Sequence, residues 1–294
     1  MRKAYFKYII ALLLFGTNGV VASNISLSSY EIVFFRTMIG SLLLMLIFIL
    51  TKGKITFVRK KRQFLSLAVS GIALGASWIF LYEAYQQIGV SFASLAYYCG
   101  PVIVMVLAPL LFQEHLTVTK GIGFSAVLIG IFLINSHLTE SAANQWGLFC
   151  GAMSAIMYAV MVIFNKKAKE ITGLENSMLQ LIFSFLTVAV FLIYKQGFHI
   201  HIAAMDVMPV LVLGILNTGI GCYLYFSSIG KLTVQTVAIC GYLEPLSAVV
   251  FSVLLLKEGM SFTQVVGAAL ILGGAILGEL FTAFHVYFKR VPTY

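Results

Sequence analysis

Glu244 stands next to Pro245 inside a long apolar run, Cys240-Gly241-Tyr242-Leu243-Glu244-Pro245. A charged side chain at bilayer depth costs roughly 2.5 to 3.5 kcal/mol on insertion scales, and proline removes a helical hydrogen bond. Three roles are open to this carboxylate: a proton or cation site, a group that meets a substrate amine, or a structural acid held by helix ends and hydroxyls. Two other charges lie in apolar surroundings. Arg36 either snorkels to the outer surface, attracts an anionic substrate group or joins a structural ion pair. Glu83, near the outer end of its helix, is expected at a solvated mouth, with a buried proton site as the alternative.

Polar and aromatic side chains recur around these charges. Gly71, Gly75, Trp78, Tyr82 and Tyr85 follow one another at spacings of four, three, four and three, which places them on one helix face. That face meets protein or a cavity, or its aromatics form an interfacial belt. Tyr97, Tyr98, Asn217, Thr218, Tyr223 and Tyr225 add hydroxyls, an amide and aromatic faces. As a lining they suit an amphipathic small molecule, and one by one they equally suit ordinary hydrogen bonding between helices. Around Glu244, the residues Val237, Cys240, Gly241, Ser247 and Ala248 share its helical face, so the carboxylate is expected to point into protein or a watery cavity.

The elements that must position these groups are membrane spans. The 294-residue chain is 61% hydrophobic and 10% charged, with a mean hydropathy of +1.00, far too apolar for a soluble globule of this size. Ten candidate spans lie near residues 7–25, 31–50, 64–86, 92–112, 119–136, 145–165, 176–194, 207–228, 233–256 and 262–284. Each is near the length needed to cross about 30 Å of hydrocarbon. With both termini cytoplasmic, sixteen of the nineteen Lys and Arg fall on the cytoplasmic side, leaving Lys195 and Lys257 outside and Arg36 within the membrane. The net charge of +9 is therefore a topology signal. Contact between the basic cluster Arg59 to Arg62 and anionic lipids follows from it, and nucleic-acid binding does not.

Enzyme chemistry finds no support in the pattern. His199 and His201 in an external loop, with Asp206 the nearest acid, read as surface histidines and not as a metal site. Cys99, Cys150, Cys222 and Cys240 lie in spans without paired spacing and read as small packing residues. No cofactor is implied. A facilitative channel or uniporter is the stronger rival to a carrier, and a multi-span enzyme acting on lipid a distant third.

The two halves repeat at an offset of 144 residues. Pro101 pairs with Pro245, Glu114 with Glu258, Gly123 with Gly267, Gly130 with Gly274 and Arg36 with Gln180. The expected organisation is a first five-helix repeat over 1–137, an external linker over 138–144, a second repeat over 145–284 and a cytoplasmic tail over 285–294. Because five is odd, the second repeat enters the membrane inverted, an arrangement characteristic of alternating-access carriers with the site at the repeat interface. Pro101 and Pro245 are the expected helix bends. Gly100-Pro101 stands where the second copy has Glu244-Pro245, so one mid-membrane carboxylate is available.

The pattern of Pro101 or Pro245, thirteen residues to Glu114 or Glu258, then Gly123 and Gly130 or Gly267 and Gly274, resembles the drug/metabolite transporter superfamily and its EamA-type ten-helix branch. The resemblance implies a multi-pass carrier in the bacterial plasma membrane, often exporting amino acids or related compounds. It also implies a cavity walled by the third, fourth, eighth and ninth spans.

Overall fold

The computed structural model describes residues 2–114, 117–134, 145–197, 202–256 and 261–288. His199, His201, Glu258 and the 138–144 linker lie outside them. Every regular element among the described residues is helical: α1 (Arg2–Gly16), α2 (Asn18–Ala22), α3 (Ser29–Leu50), α4 (Lys61–Tyr97), α5 (Cys99–Phe112), α6 (Val118–Ile134), α7 (Gln145–Lys167), α8 (Gly173–Gln196), α9 (Ala204–Val212), a π-helical stretch (Leu213–Ile220), α10 (Gly221–Ile229), α11 (Val234–Gly241), α12 (Leu243–Leu256) and α13 (Phe262–Phe288). Seven runs among them are long and apolar enough to cross a bilayer, and Cys99–Phe112, Val118–Leu133 and Val265–Leu277 are shorter apolar helices. Helices satisfy their own backbone groups, which is what an apolar solvent demands.

The run α4 is not one straight rod. A straight helix of 37 residues is about 55 Å long and separates positions nine apart by about 13 Å. Yet the Ser94 hydroxyl lies 3.4 Å from the Tyr85 hydroxyl, so the run bends between them.

The prolines act one turn upstream of where a bend is expected. Helix α4 ends at Tyr97 and α11 at Gly241, each four residues before its proline. The pyrrolidine ring collides with the carbonyl at that distance and offers no N–H to it. One residue then interrupts each helix, Tyr98 with φ −69° and ψ −4° and Tyr242 with φ −72° and ψ −5°. Pro101 and Pro245 restart α5 and α12 in the first turn, where a missing N–H costs nothing.

Contacts between the two halves are reciprocal, as at a two-fold interface. A Cβ placed on Gly71 would lie 2.6 Å from Phe183 Cβ, and one on Gly214 would lie 2.6 Å from Ile39 Cβ. Ile39 and Phe183 are 144 residues apart, Gly71 and Gly214 143. Likewise a Cβ on Gly130 would meet the Gly267 carbonyl at 2.6 Å, and one on Gly274 the Gly123 carbonyl at 2.5 Å. The repeat partners Tyr98 and Tyr242 touch directly, the Tyr242 hydroxyl donating to the Tyr98 carbonyl at 2.8 Å.

Helices α6 and α13 thus meet backbone to backbone, which only glycine permits. Replacing Gly274 with valine is expected to cost about 3 kcal/mol, at the upper end of overpacking penalties. A lowered unfolding midpoint in detergent checks this, with Gly273→Val, where nothing lies within 4 Å of an added Cβ, as the neutral control. Elsewhere buried hydroxyls join the halves: Ser77 donates to the Ser154 carbonyl at 2.9 Å and Ser154 to the Ser77 carbonyl at 2.8 Å.

Candidate functional site

Four irregularities lie among the helices that wall the central cavity: the α1–α2 break, the π-helical stretch, and the interruptions at Tyr98 and Tyr242. The first two are fastened to each other. Asn217 Nδ2 donates to the Leu14 carbonyl at 2.8 Å, to Thr17 Oγ1 at 2.8 Å and to Asn18 Oδ1 at 3.0 Å. Thr218 Oγ1 donates to the Leu213 carbonyl five residues back at 2.9 Å and accepts from Arg36 Nε at 2.9 Å. Irregular backbone inside a membrane is tolerated where protein or a cavity covers it.

The cavity comprises about 430 Å³ of atom-free space, a figure that includes open solvent. Arg36, Trp78, Tyr97, Tyr225 and Glu244 line it, five of the side chains singled out in the sequence. Phe15, Asn18, Tyr158, Cys222 and Phe226 complete most of the wall. Tyr97 and Tyr158 meet edge to face at 5.5 Å between centroids, and the hydroxyls of Tyr158 and Tyr225 lie 3.3 Å apart. Phe15 packs on Tyr225 at 5.8 Å.

Arg36 does not snorkel outward. It is 4% exposed, its guanidinium lies 4.8 Å over the Trp78 ring, and Thr218 holds its Nε. A planar cation stacked on indole and fixed by one hydroxyl keeps its remaining donors for the cavity. Glu244 faces the same space from the first turn of α12. A buried guanidinium and a carboxyl group therefore share one aromatic enclosure.

The other expected residues lie elsewhere. Asn217 joins helices, as described. Tyr82 packs against Tyr85, with ring centroids 5.1 Å apart. Tyr98 lies against the Val127 and Ile271 cluster, and Tyr223 lies under the Lys7 ammonium at 4.9 Å. Glu83 forms a cluster of its own: it binds Lys195 at 2.8 Å, accepts from the Tyr30 hydroxyl, and takes Trp146 Nε1 at 3.3 Å and Gln87 Nε2 at 3.2 Å. Tyr158 carries no expectation from sequence, although Ser154, Tyr158 and Met161 share a helix face at spacings of four and three. The structure also adds Asn18 to the wall.

The sequence matches the EamA-like transporter family twice, over residues 2–136 and again over 145–278. The chain belongs to this family. It is a multi-pass membrane protein. Similar proteins include a Bacillus subtilis transporter, YxxF, 24% identical over 93% of this chain and 88% of that one. A transporter of Archaeoglobus fulgidus is 26% identical over 94% and 96%, and the inner membrane transporter YicL of Salmonella typhimurium is 26% identical over 95% and 96%. A solved crystal structure superposes with a TM-score of 0.83 at 18% identity, covering 95% of this chain and 98% of that one, and shares the fold.

Proposed function

We propose that this EamA-family chain is a ten-span carrier for a zwitterionic small metabolite, an amino acid with a large apolar side chain or a related compound. The observation that carries the reading is that Arg36 and Glu244 line one aromatic-walled cavity. Arg36 suits the substrate carboxylate, Glu244 its ammonium group, and Trp78, Tyr97, Tyr158 and Tyr225 its apolar body. The two charges come from different repeats, so a substrate bound between them contacts both halves at once. That is what rocking of inverted repeats around a central site requires. The reciprocal glycine contacts, the charge distribution over the loops and the family membership support two inverted five-helix repeats with both termini cytoplasmic. The inner-membrane relative supports a bacterial inner-membrane setting. Facilitative diffusion through a channel is the competing reading.

A competition screen in proteoliposomes tests the proposal, setting amino acids, amines, nucleosides and sugars against one another with and without a pH gradient. Saturable flux with counterflow by apolar amino acids is the expected result. Flux that never saturates, or none in any class, overturns it.

The Glu83 cluster joins Tyr30 and Glu83 of the first half to Trp146 and Lys195 of the second. Glu83 lies five residues along α4 from Trp78, and Tyr30 six along α3 from Arg36, which places the cluster about 8 to 9 Å beyond the cavity at 1.5 Å per residue. In the export reading it closes the outer end. Lys195→Ala is expected to raise the labelling rate of Cys222 by a membrane-impermeant thiol reagent about threefold, the population shift given by a partly exposed ion pair. The measurement is made with Cys99, the exposed cysteine, replaced by serine.

A further inference from the structure

A second basin adjoins the central cavity, enclosing about 1090 Å³ of atom-free space that includes open solvent. Phe226 belongs to the walls of both, so one aromatic ring stands between them. Three cations line this basin, Lys166, Lys169 and Lys231, against one carboxylate, Glu114. The carboxylate is already engaged. It accepts from the backbone N–H of Val234 at 2.7 Å and of Gln235 at 3.1 Å, where it offsets the positive end of α11. Lys166 donates to the carbonyls of Ile229, at 3.0 Å, and Leu232, which leaves one of its three N–H groups. Lys169 and Lys231 are exposed at the rim.

The wall also holds an unpaired acceptor. Asn165 is 2% exposed. Its Nδ2 donates to Asn176 Oδ1 at 2.9 Å, whereas its buried Oδ1 has no hydrogen-bond partner. Burying such an atom is unfavourable unless something supplies a donor. Ammonium groups together with a buried acceptor recognise a molecule that carries both an anionic group and an N–H donor.

We propose that this basin is a loading subsite for the same zwitterionic class of substrate. Lys169 and Lys231 draw in the carboxylate, the free N–H of Lys166 binds it, and Asn165 Oδ1 accepts from the amino group. Phe226 then separates this waiting position from the central cavity. The inference rests on the carrier reading for its direction, and its test does not need transport to be observed.

Ser227 lines the basin and serves as the reporter position. In a background with the native cysteines replaced by alanine, Ser227→Cys is labelled with an anionic and with a cationic methanethiosulfonate. The anionic reagent is expected to gain about tenfold over the cationic one relative to a free thiol, as focused surface potentials allow. Lys169→Gln with Lys231→Gln, both at exposed positions, is expected to remove most of that preference. Millimolar L-leucine is expected to slow labelling with the lysines in place and to do so much less without them. A preference that survives neutralisation overturns the proposal. So does a preference with no protection by L-leucine, which reduces the basin to a field without a site. Protection in this assay together with no saturable flux in proteoliposomes overturns the carrier reading and leaves the subsite standing.

Discussion

Glu244→Gln is expected to lower the affinity for a zwitterionic substrate by about 10- to 100-fold, the worth of one charge-assisted hydrogen bond at roughly 1.5 to 3 kcal/mol. The substitution keeps the volume and the position in the first turn of α12, so helix packing is preserved. The loss should fall on substrates with an ammonium group and spare analogues that lack one. Equilibrium binding read through Trp78 fluorescence, with Trp146→Phe removing the second of the two tryptophans, separates this from the other roles of a membrane carboxylate. Intact exchange with loss of gradient-driven accumulation identifies Glu244 as the proton site instead. Intact transport with a lowered unfolding midpoint identifies a structural acid.

Arg36→Ala is expected to abolish transport and to destabilise the protein by about 3 kcal/mol, since it empties the space that a buried, anchored side chain fills. The side chain also stacks on Trp78 and donates to Thr218, and both contacts go with it. Arg36→Lys keeps the charge and loses the planar fork, so a residual affinity about tenfold below wild type is expected. Adding Glu244→Ala to Arg36→Ala should recover part of the lost stability without recovering transport. A double-mutant cycle on the unfolding midpoint measures that coupling. Strict additivity shows that the two charges do not sense each other across the cavity.

Much of the architecture is legible without coordinates. The apolar runs demand membrane helices, and the offset of 144 residues joins Pro101 to Pro245 and Gly130 to Gly274. The two prolines point to the bends, although the helices end four residues earlier, at Tyr97 and Gly241. Other features escape that reading. The π-helical stretch at Leu213–Ile220 carries no breaker stronger than its glycines, and a cross-helix contact stabilises it, Arg36 on Thr218. Tyr82, Tyr98, Asn217 and Tyr223 have the same polar and aromatic character as Tyr97 and Tyr225. Local pattern does not separate the four that stay outside the cavity from the two that line it.

By itself the sequence determined that this chain lives in a membrane and that it is built from two related halves. Only the tertiary structure decided that Arg36 turns inward, that Glu244 shares its enclosure, and that Tyr158 and Asn18 complete the wall. The reason is physical. In a soluble helix the buried face declares itself by its apolarity, but a membrane helix is apolar on the lipid side and on the protein side alike. Periodicity tells which residues share a face. Which neighbour that face meets is set by close contacts such as Gly71 on Phe183 and Gly214 on Ile39, and those contacts aim the charges.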